Sequence, residues 1–251
     1  MSRRSAILTV VLFLLAGGAV PLMAQSGGLP ALNLSLEEAT TPEQLSTTIQ
    51  IVLLMTVLAL APSILVMTTC FTRIVVIFHF LRQAIGTQNT PSNQILISLA
   101  LFLTYFVMSP VFKQINDNAL QPYLNDEIEQ PVALQLAAQP VKQFMLNHTR
   151  EKELALFAGY FQADLPTSVQ DLSLAVVVPA FMISELRVAF QIGFMLYLPM
   201  LLIDMVVSAV LMSMGMMMLP PVMISMPFKI LLFVLVDGWY LVVESIINGL
   251  R

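Results

Sequence analysis

The sequence predicts an all-α, membrane-associated protein in which a signal peptide precedes four hydrophobic helical segments arranged as hairpins. Of its 251 residues, 58% are hydrophobic and 10% are charged, whereas soluble domains carry about 25% charged residues. The apolar residues also come in long runs, and residues 44–72 contain no charged side chain. Runs of this length and composition are typical of helices that cross a bilayer.

Composition and motifs argue against several classes of function. Cys70 is the single cysteine, so neither an intrachain disulfide nor a cysteine metal cluster is expected. The sequence contains no nucleotide-binding, zinc-protease or serine-hydrolase signature, and His79 and His148 lie far apart. The net charge of −4 gives no reason to expect nucleic acid as a partner. We therefore expect no enzyme, no metal and no cofactor, and the sequence favours a channel component or a transporter.

Residues 1–24 have the features of a secretory signal peptide. Two arginines precede a short apolar run, and Ala24 offers a small residue at the expected cleavage point. The alternative is an uncleaved first span, although the run is short for crossing a bilayer. Residues 25–46 contain glycines, prolines and glutamates and are predicted to be a polar lead-in.

Residues 47–112 are predicted to form the first hydrophobic helical hairpin. The two apolar runs are residues 49–70, which Pro62 should kink, and residues 95–112. The connection 73–93 carries basic side chains and no acid. Because short basic connections stay in the cytoplasm, we expect 73–93 to be a cytoplasmic loop.

Residues 113–171 are predicted to be an extracytoplasmic (periplasmic) helical layer. They carry eight acidic and four Lys or Arg residues, which suits the side away from the cytoplasm. Residues 141–161 have apolar anchors at helical spacing, and the charged stretch 150–153 is expected to be solvated. The layer is too small to be an independent enzyme domain.

Residues 172–251 are predicted to form C-terminal helical hairpins that carry charges inside apolar sequence. Such charges are costly at membrane depth and usually face partners or water. Glu185 and Arg187 are two residues apart, so they cannot pair along one helix. Each needs a partner on another helix or in another copy. The charged residues are Glu185, Arg187, Asp204, Lys229, Asp237 and Glu244.

Asp204 and Lys229 are predicted to face each other across a hairpin. Their midpoint falls inside Met216–Met218, and a turn there would bring them level, about 18 Å from the tip at a rise of about 1.5 Å per residue. A turn centred on Pro220 and Pro221 would lose this match. The acids could form a proton relay, but with Arg and Lys available we favour contacts that hold the assembly together.

A methionine-rich stretch runs from Met205 to Met226 and holds eight of the 17 methionines. Met216, Met217 and Met218 are adjacent, so they cannot share one helical face, and they lie between Gly215 and a double proline. One interpretation is soft apolar filling or a lipid-facing surface. The other is a flexible constriction at a turn.

Three long motifs resemble the FliP family of flagellar protein-export components. They are TTCFTRIVVIFHFLRQAIGTQNTPSNQILISLALFLTYFVMSP (68–110), VPAFMISELRVAFQIGF (178–194) and MPFKILLFVLVDGW (226–239). The resemblance covers about residues 45–251. The related SctR proteins of virulence type III secretion systems are the close alternative, although the signal peptide and the QNTPSNQ loop look more like the flagellar branch.

The resemblance implies an export gate of the bacterial inner membrane, in the flagellar basal body. FliP-like proteins form a ring, described as five copies, with FliQ and FliR, while FlhB docks on it and FliO helps assembly. The ring is thought to rise largely out of the bilayer plane and to pass unfolded protein substrates. Besides copies of itself and these proteins, the chain would contact membrane lipid.

The resemblance also assigns roles to residues of this sequence. Met216, Met217 and Met218 match a methionine loop regarded as a gasket that closes the pore. Glu185 matches a position associated with contacts between copies, and Asp204 and Lys229 match an acid and a lysine of the family. A proton or small-solute transporter is the other class, but residues 49–112 and 172–250 show no internal repeat of the kind many transporters have.

Overall fold

A computed structural model of the protein describes residues 42–87, 89–161, 169–216 and 219–250. The predicted signal peptide (1–24) and most of the predicted lead-in (25–46) lie outside them. The described residues form helices and connections without a β-strand, which confirms the all-α class. The helices are α1 (Pro42–Thr68), α2 (Phe71–Ile85), α3 (Asn93–Ile115), a π-helical turn (Asn116–Leu120), α4 (Gln121–Leu124), α5 (Gln130–His148), α6 (Glu151–Phe161), a 3₁₀ turn (Val169–Asp171), α7 (Leu174–Ser213), α8 (Pro221–Leu235) and α9 (Gly238–Asn248).

Three helical stretches are long and apolar enough to cross a membrane. They are Ile51–Thr68 in α1, Asn93–Leu124 through α3 and α4, and Leu174–Ser213, which is all of α7. Helices α8 and α9 pass the same test together, but the chain bends by 63° between them. The four hydrophobic helical segments predicted from the sequence are therefore present, and the last of them is broken.

The core is built around α2, which packs against α7 and α3. Four apolar side chains at helical spacing form a stripe with almost no exposure: Ile74, Ile77, Phe78 and Leu81. The prediction that 73–93 is a loop is therefore wrong for most of its length. The basic side chains suggested a solvated connection, but His79 and Gln83 lie on an exposed face while the apolar stripe is buried.

The last helix completes this core. The Trp239 ring meets Phe233 and Phe78 in edge-to-face contacts, with centroids 5.6 and 6.3 Å apart. Cys70, just before α2, is fully buried, and burial raises the pKa of its thiol to about 12. Cys70 is therefore an uncharged core residue at ordinary pH.

Residues 113–171 are helical over most of the part that is described. The predicted helical stretch 141–161 is interrupted, because α5 ends at His148 and α6 begins at Glu151. Of the phenylalanines among the apolar residues of this stretch, Phe144 is buried and Phe161 is exposed. The prediction that residues 150–153 are solvated is wrong for Glu153, which is buried where α6 packs on α7.

Candidate functional site

The α7–α8 hairpin ends in a turn whose start is set by one glycine. Gly215 has a φ of +75°, a left-handed conformation that costs glycine little. Its N–H donates to the carbonyl of Met212 at 3.1 Å, and the N–H of Met216 donates to the carbonyl of Leu211 at 3.0 Å. This pair of bonds is the Schellman cap that closes many helix C-termini. Met216 is therefore the first residue of the turn that leaves a fixed helix end.

The second side of the turn is set by proline. Pro220 is extended and Pro221 begins α8, where its fixed φ and missing N–H suit the first turn of a helix. Met216 is 42% exposed, while Met217 and Met218 lie outside the described residues. The neighbouring Met214 and Met223 are also exposed. In the single chain, the tip of the hairpin therefore exposes several flexible apolar side chains.

Below the turn, the structure brings Asp204 of α7 and Lys229 of α8 together. The Lys229 ammonium donates to Asp204 Oδ2 at 2.6 Å, and the Ser225 hydroxyl donates to Asp204 Oδ1 at 2.5 Å. Lys229 is buried, and the Asp204 side chain is only 21% exposed. Charge-assisted bonds in such surroundings fix geometry strongly, so they set the register of the two helices beneath the methionine turn.

Glu185 and Arg187 find partners on different helices. Glu185 pairs with Arg73 of α2 through a two-pronged contact, in which Arg73 Nε donates to Oε2 at 2.7 Å and Nη2 donates to Oε1. Arg187 Nη1 lies 3.3 Å from Oε1 of Glu153 on α6, and the Arg187 side chain is half exposed. The two residues are therefore not paired with each other, in agreement with their spacing on α7.

Sequence reasoning missed three residues that complete these contacts: Arg73, Glu153 and Ser225. Ser225 is four residues before Lys229 and so lies on the same helical face, a signal that could have been used. Arg73 and Glu153 are far in sequence from their partners, and their charges suggested solvated positions. Local spacing carries no information about either contact.

The surroundings of the hairpin are apolar. An open groove of about 550 Å³ runs beside it between α7 and α8, and Val206, Val210, Ile224 and Phe228 are among its lining residues. Among the described residues, no group of three or more His, Cys, Asp or Glu side chains could hold a metal ion. The arrangement offers an apolar surface with a few paired charges.

Fold and site together define a helical membrane protein in which paired charges set the register of apolar helices beneath a methionine-rich turn. A sequence profile of the FliP family matches residues 54–246. The chain therefore belongs to the FliP family.

Several FliP proteins align with this chain over most of their lengths. The flagellar biosynthetic protein FliP of Bacillus subtilis is 56% identical over 216 residues, which cover 86% of this chain and 98% of that protein. The Caulobacter vibrioides protein of the same name is 49% identical over 249 residues, 99% of this chain and 92% of its own. That of Aquifex aeolicus is 46% identical, covering 88% of this chain and 92% of its own. The Caulobacter alignment includes the N-terminal region that the motifs do not cover.

Proposed function

We propose that the chain is a subunit of the flagellar type III export gate in the bacterial inner membrane. Copies of it, described as five for the family, would form with FliQ and FliR a pore for unfolded flagellar proteins, with FlhB and FliO as further partners. Its signal peptide would be cleaved, the 73–93 segment would face the cytoplasm, and residues 113–171 would form the periplasmic layer. Membership of the FliP family and the flagellar names of the relatives support this function.

The observation that carries the gate proposal is the methionine turn at the exposed end of a fixed hairpin. Met216 follows directly after a closed helix terminus, and the Asp204–Lys229 contact sets the register of the hairpin below it. A turn held in this way would present the same side chains from each copy. Met216, Met217 and Met218 would then meet around a central axis as a ring.

Methionine chemistry suits a closed but deformable constriction. A thioether carries no charge and is a weak hydrogen-bond acceptor, so a narrow ring of them would exclude ions by dewetting and desolvation. The side chain has rotatable bonds and packs against irregular partners. The ring could therefore part around an unfolded segment of almost any sequence and close behind it.

The test is to replace Met216, Met217 and Met218 together with alanine. We expect assembled gates with this change to leak ions while export continues at least in part, because the pore is widened and the path remains. Ion flux into vesicles that contain purified gates measures the leak, and secretion of flagellar proteins by cells measures export. Unchanged ion permeability would rule out the gasket role.

Met195 provides the matched control for this test. It is an exposed methionine of α7, and it lies on the other side of Asp204 from the turn. Met216→Ala and Met195→Ala each remove one exposed thioether, so the two variants differ only in place. We expect a measurable leak from Met216→Ala and none from Met195→Ala. An equal leak from both would show that the turn has no special part in closing the pore.

Two other functions make different predictions. An SctR-type virulence gate would share the ring and the methionine turn, but it would support virulence secretion rather than flagellar assembly in a complementation test. A proton or small-solute transporter would use Asp204 as a relay, yet both of its carboxylate oxygens already accept bonds from Ser225 and Lys229. A detergent-purified monomer or dimer that binds a solute would favour the transporter, and a large multi-copy particle the gate.

A further inference from the structure

The contact between Arg73 and Glu185 lies entirely within one chain. Glu185 has no exposed surface, and Arg73 is 3% exposed. Both carboxylate oxygens accept bonds from the same guanidinium group. A second copy could not reach Glu185 without first opening the core of this one.

Arg73 also holds a third element. Its Nη1 donates to the carbonyl of Gly249 at 3.0 Å, directly after the end of α9. Carbonyl groups at a helix C-terminus lack partners within the helix and attract cations. One guanidinium group therefore joins α2, α7 and the end of α9.

We propose that Glu185 is a positioning residue that acts inside its own chain: through Arg73 it holds the carboxyl end of α9 against α2 and α7. The resemblance associates this position with contacts between copies. An effect of Glu185 on assembly would then pass through the placement of α9, whose Val242 and Ile246 side chains are buried. This inference concerns the single chain and does not rest on the proposed export function.

The physical reason is the cost of a buried charge that loses its partner. Without the carboxylate, Arg73 would be buried with a neutral carbonyl as its remaining partner, and such an uncompensated charge is strongly unfavourable. Arg73 would then turn towards water and release Gly249. The expected consequence is local opening at the end of α9, because this helix is short and, among the described contacts, Arg73 provides the side-chain hydrogen bond that holds its end.

The test follows the accessibility of Leu250, a buried residue next to Gly249. A Leu250→Cys reporter in the full-length chain, dispersed as single copies in detergent, is treated with N-ethylmaleimide, and the modified fraction is followed by mass spectrometry. Adding Glu185→Gln should speed labelling by at least about tenfold, because the buried contact that closes this end is lost. Native Cys70 is fully buried close to Arg73 and Glu185, so its own labelling is recorded separately, and the helical content measured by circular dichroism serves as the reference for global unfolding.

Three further variants separate positioning from other effects. Glu244→Gln makes the same chemical change at an exposed acid of α9 and should leave labelling unchanged. Arg73→Lys keeps the charge but loses the two-pronged geometry, so its labelling rate should fall between those of the parent and Glu185→Gln. The double variant Arg73→Glu with Glu185→Arg swaps the two charges. It should be labelled more slowly than the variant that carries either change alone, because the ion pair is restored.

The outcomes distinguish action within the chain from action between copies. If Glu185→Gln prevents copies from assembling but leaves labelling in the dispersed chain unchanged, the residue acts between copies and the proposal is overturned. If Glu185→Gln also lowers the helical content of the whole chain, Arg73→Lys becomes the deciding variant. Unchanged labelling in Arg73→Lys would then also overturn the proposal.

Discussion

Helices α1 and α2 follow each other in the chain and differ in an instructive way. From Ile51 to Thr68, α1 has no charged residue and no buried residue. Helix α2 carries two arginines and a histidine, yet it forms the centre of the core. The more apolar of the two helices is therefore the more exposed one.

Hydropathy and burial report different things in these two helices. A high mean hydropathy indicates that a helix can lie in apolar surroundings on all sides. An apolar stripe on one side indicates instead that this one face packs against protein. Helix α1 is apolar all round, as a helix surrounded by lipid or by other subunits must be. Helix α2 has a buried apolar stripe on one side and exposes His79 and Gln83 on the other, so packing against α7 fixes its position.

The largest expected effect comes from removing the central side chain of α2. Phe78 is fully buried and meets Trp239 edge to face. Phe78→Ala should lower the free energy of unfolding by about 3–5 kcal/mol, because it removes a large apolar side chain and leaves a cavity. Thermal unfolding of the purified protein in detergent measures the loss.

The control for this change lies on α1. Leu58 is 55% exposed, so Leu58→Ala should change the unfolding temperature of the single chain little. If both variants lost the same stability, the contrast between a packed α2 and an unpacked α1 would be wrong.

An added charge should disturb α1 more than α2, which is the opposite of the effect expected from alanine substitutions. Leu58→Lys places a lysine in the middle of α1, and a lysine at the centre of a membrane helix costs about 2.5–3.5 kcal/mol on insertion scales. Gln83→Lys adds the same charge to the exposed face of α2 and should have little effect. The fraction of chain that resists alkaline extraction from membranes measures insertion, and equal fractions for the two variants would argue that α1 does not contact lipid.

The same contrast explains which parts of the fold can be predicted from sequence. The long apolar runs predict α1 and α3, because a helix that is apolar on every side can be recognised without knowledge of its neighbours. The prediction of a loop at 73–93 is wrong because the charges of Arg73 and Arg82 indicate a solvated connection, whereas the stripe of Ile74, Ile77, Phe78 and Leu81 packs in the core. The stripe has helical spacing in the sequence, so it predicts a helix once a buried Arg73 is allowed for.

The charged contacts also fall into two kinds, those that can be predicted from sequence and those that require the fold. Asp204 and Lys229 lie on adjacent helices joined by a short turn, so their register follows from counting residues to the turn. Glu185 and Arg73 are separated by 112 positions, and only the packing of α2 on α7 brings them together. Contacts of the first kind can be predicted from sequence, whereas those of the second kind require the fold.

The smallest expected effect comes from a substitution that tests how closely α2 packs against α7. A Cβ atom added at Gly193 of α7 would lie 2.6 Å from the ring of Phe80 on α2, which is closer than real side chains approach. Gly193→Ala should therefore lower the free energy of unfolding by about 1–3 kcal/mol through overpacking. Denaturant unfolding in detergent measures this change.

Gly159 supplies the matched control, because it is a helical glycine of α6 with nothing within 4 Å of an added Cβ. Gly159→Ala should leave stability unchanged or raise it by up to about 1 kcal/mol, since alanine is the better helix former. Combining Gly193→Ala with Phe80→Leu should recover part of the loss, because leucine removes the ring that the new methyl group meets. A Gly193→Ala variant as stable as the parent would show that α2 can shift on α7 to make room for the new methyl group, and that close packing at Phe80 does not fix the distance between the two helices.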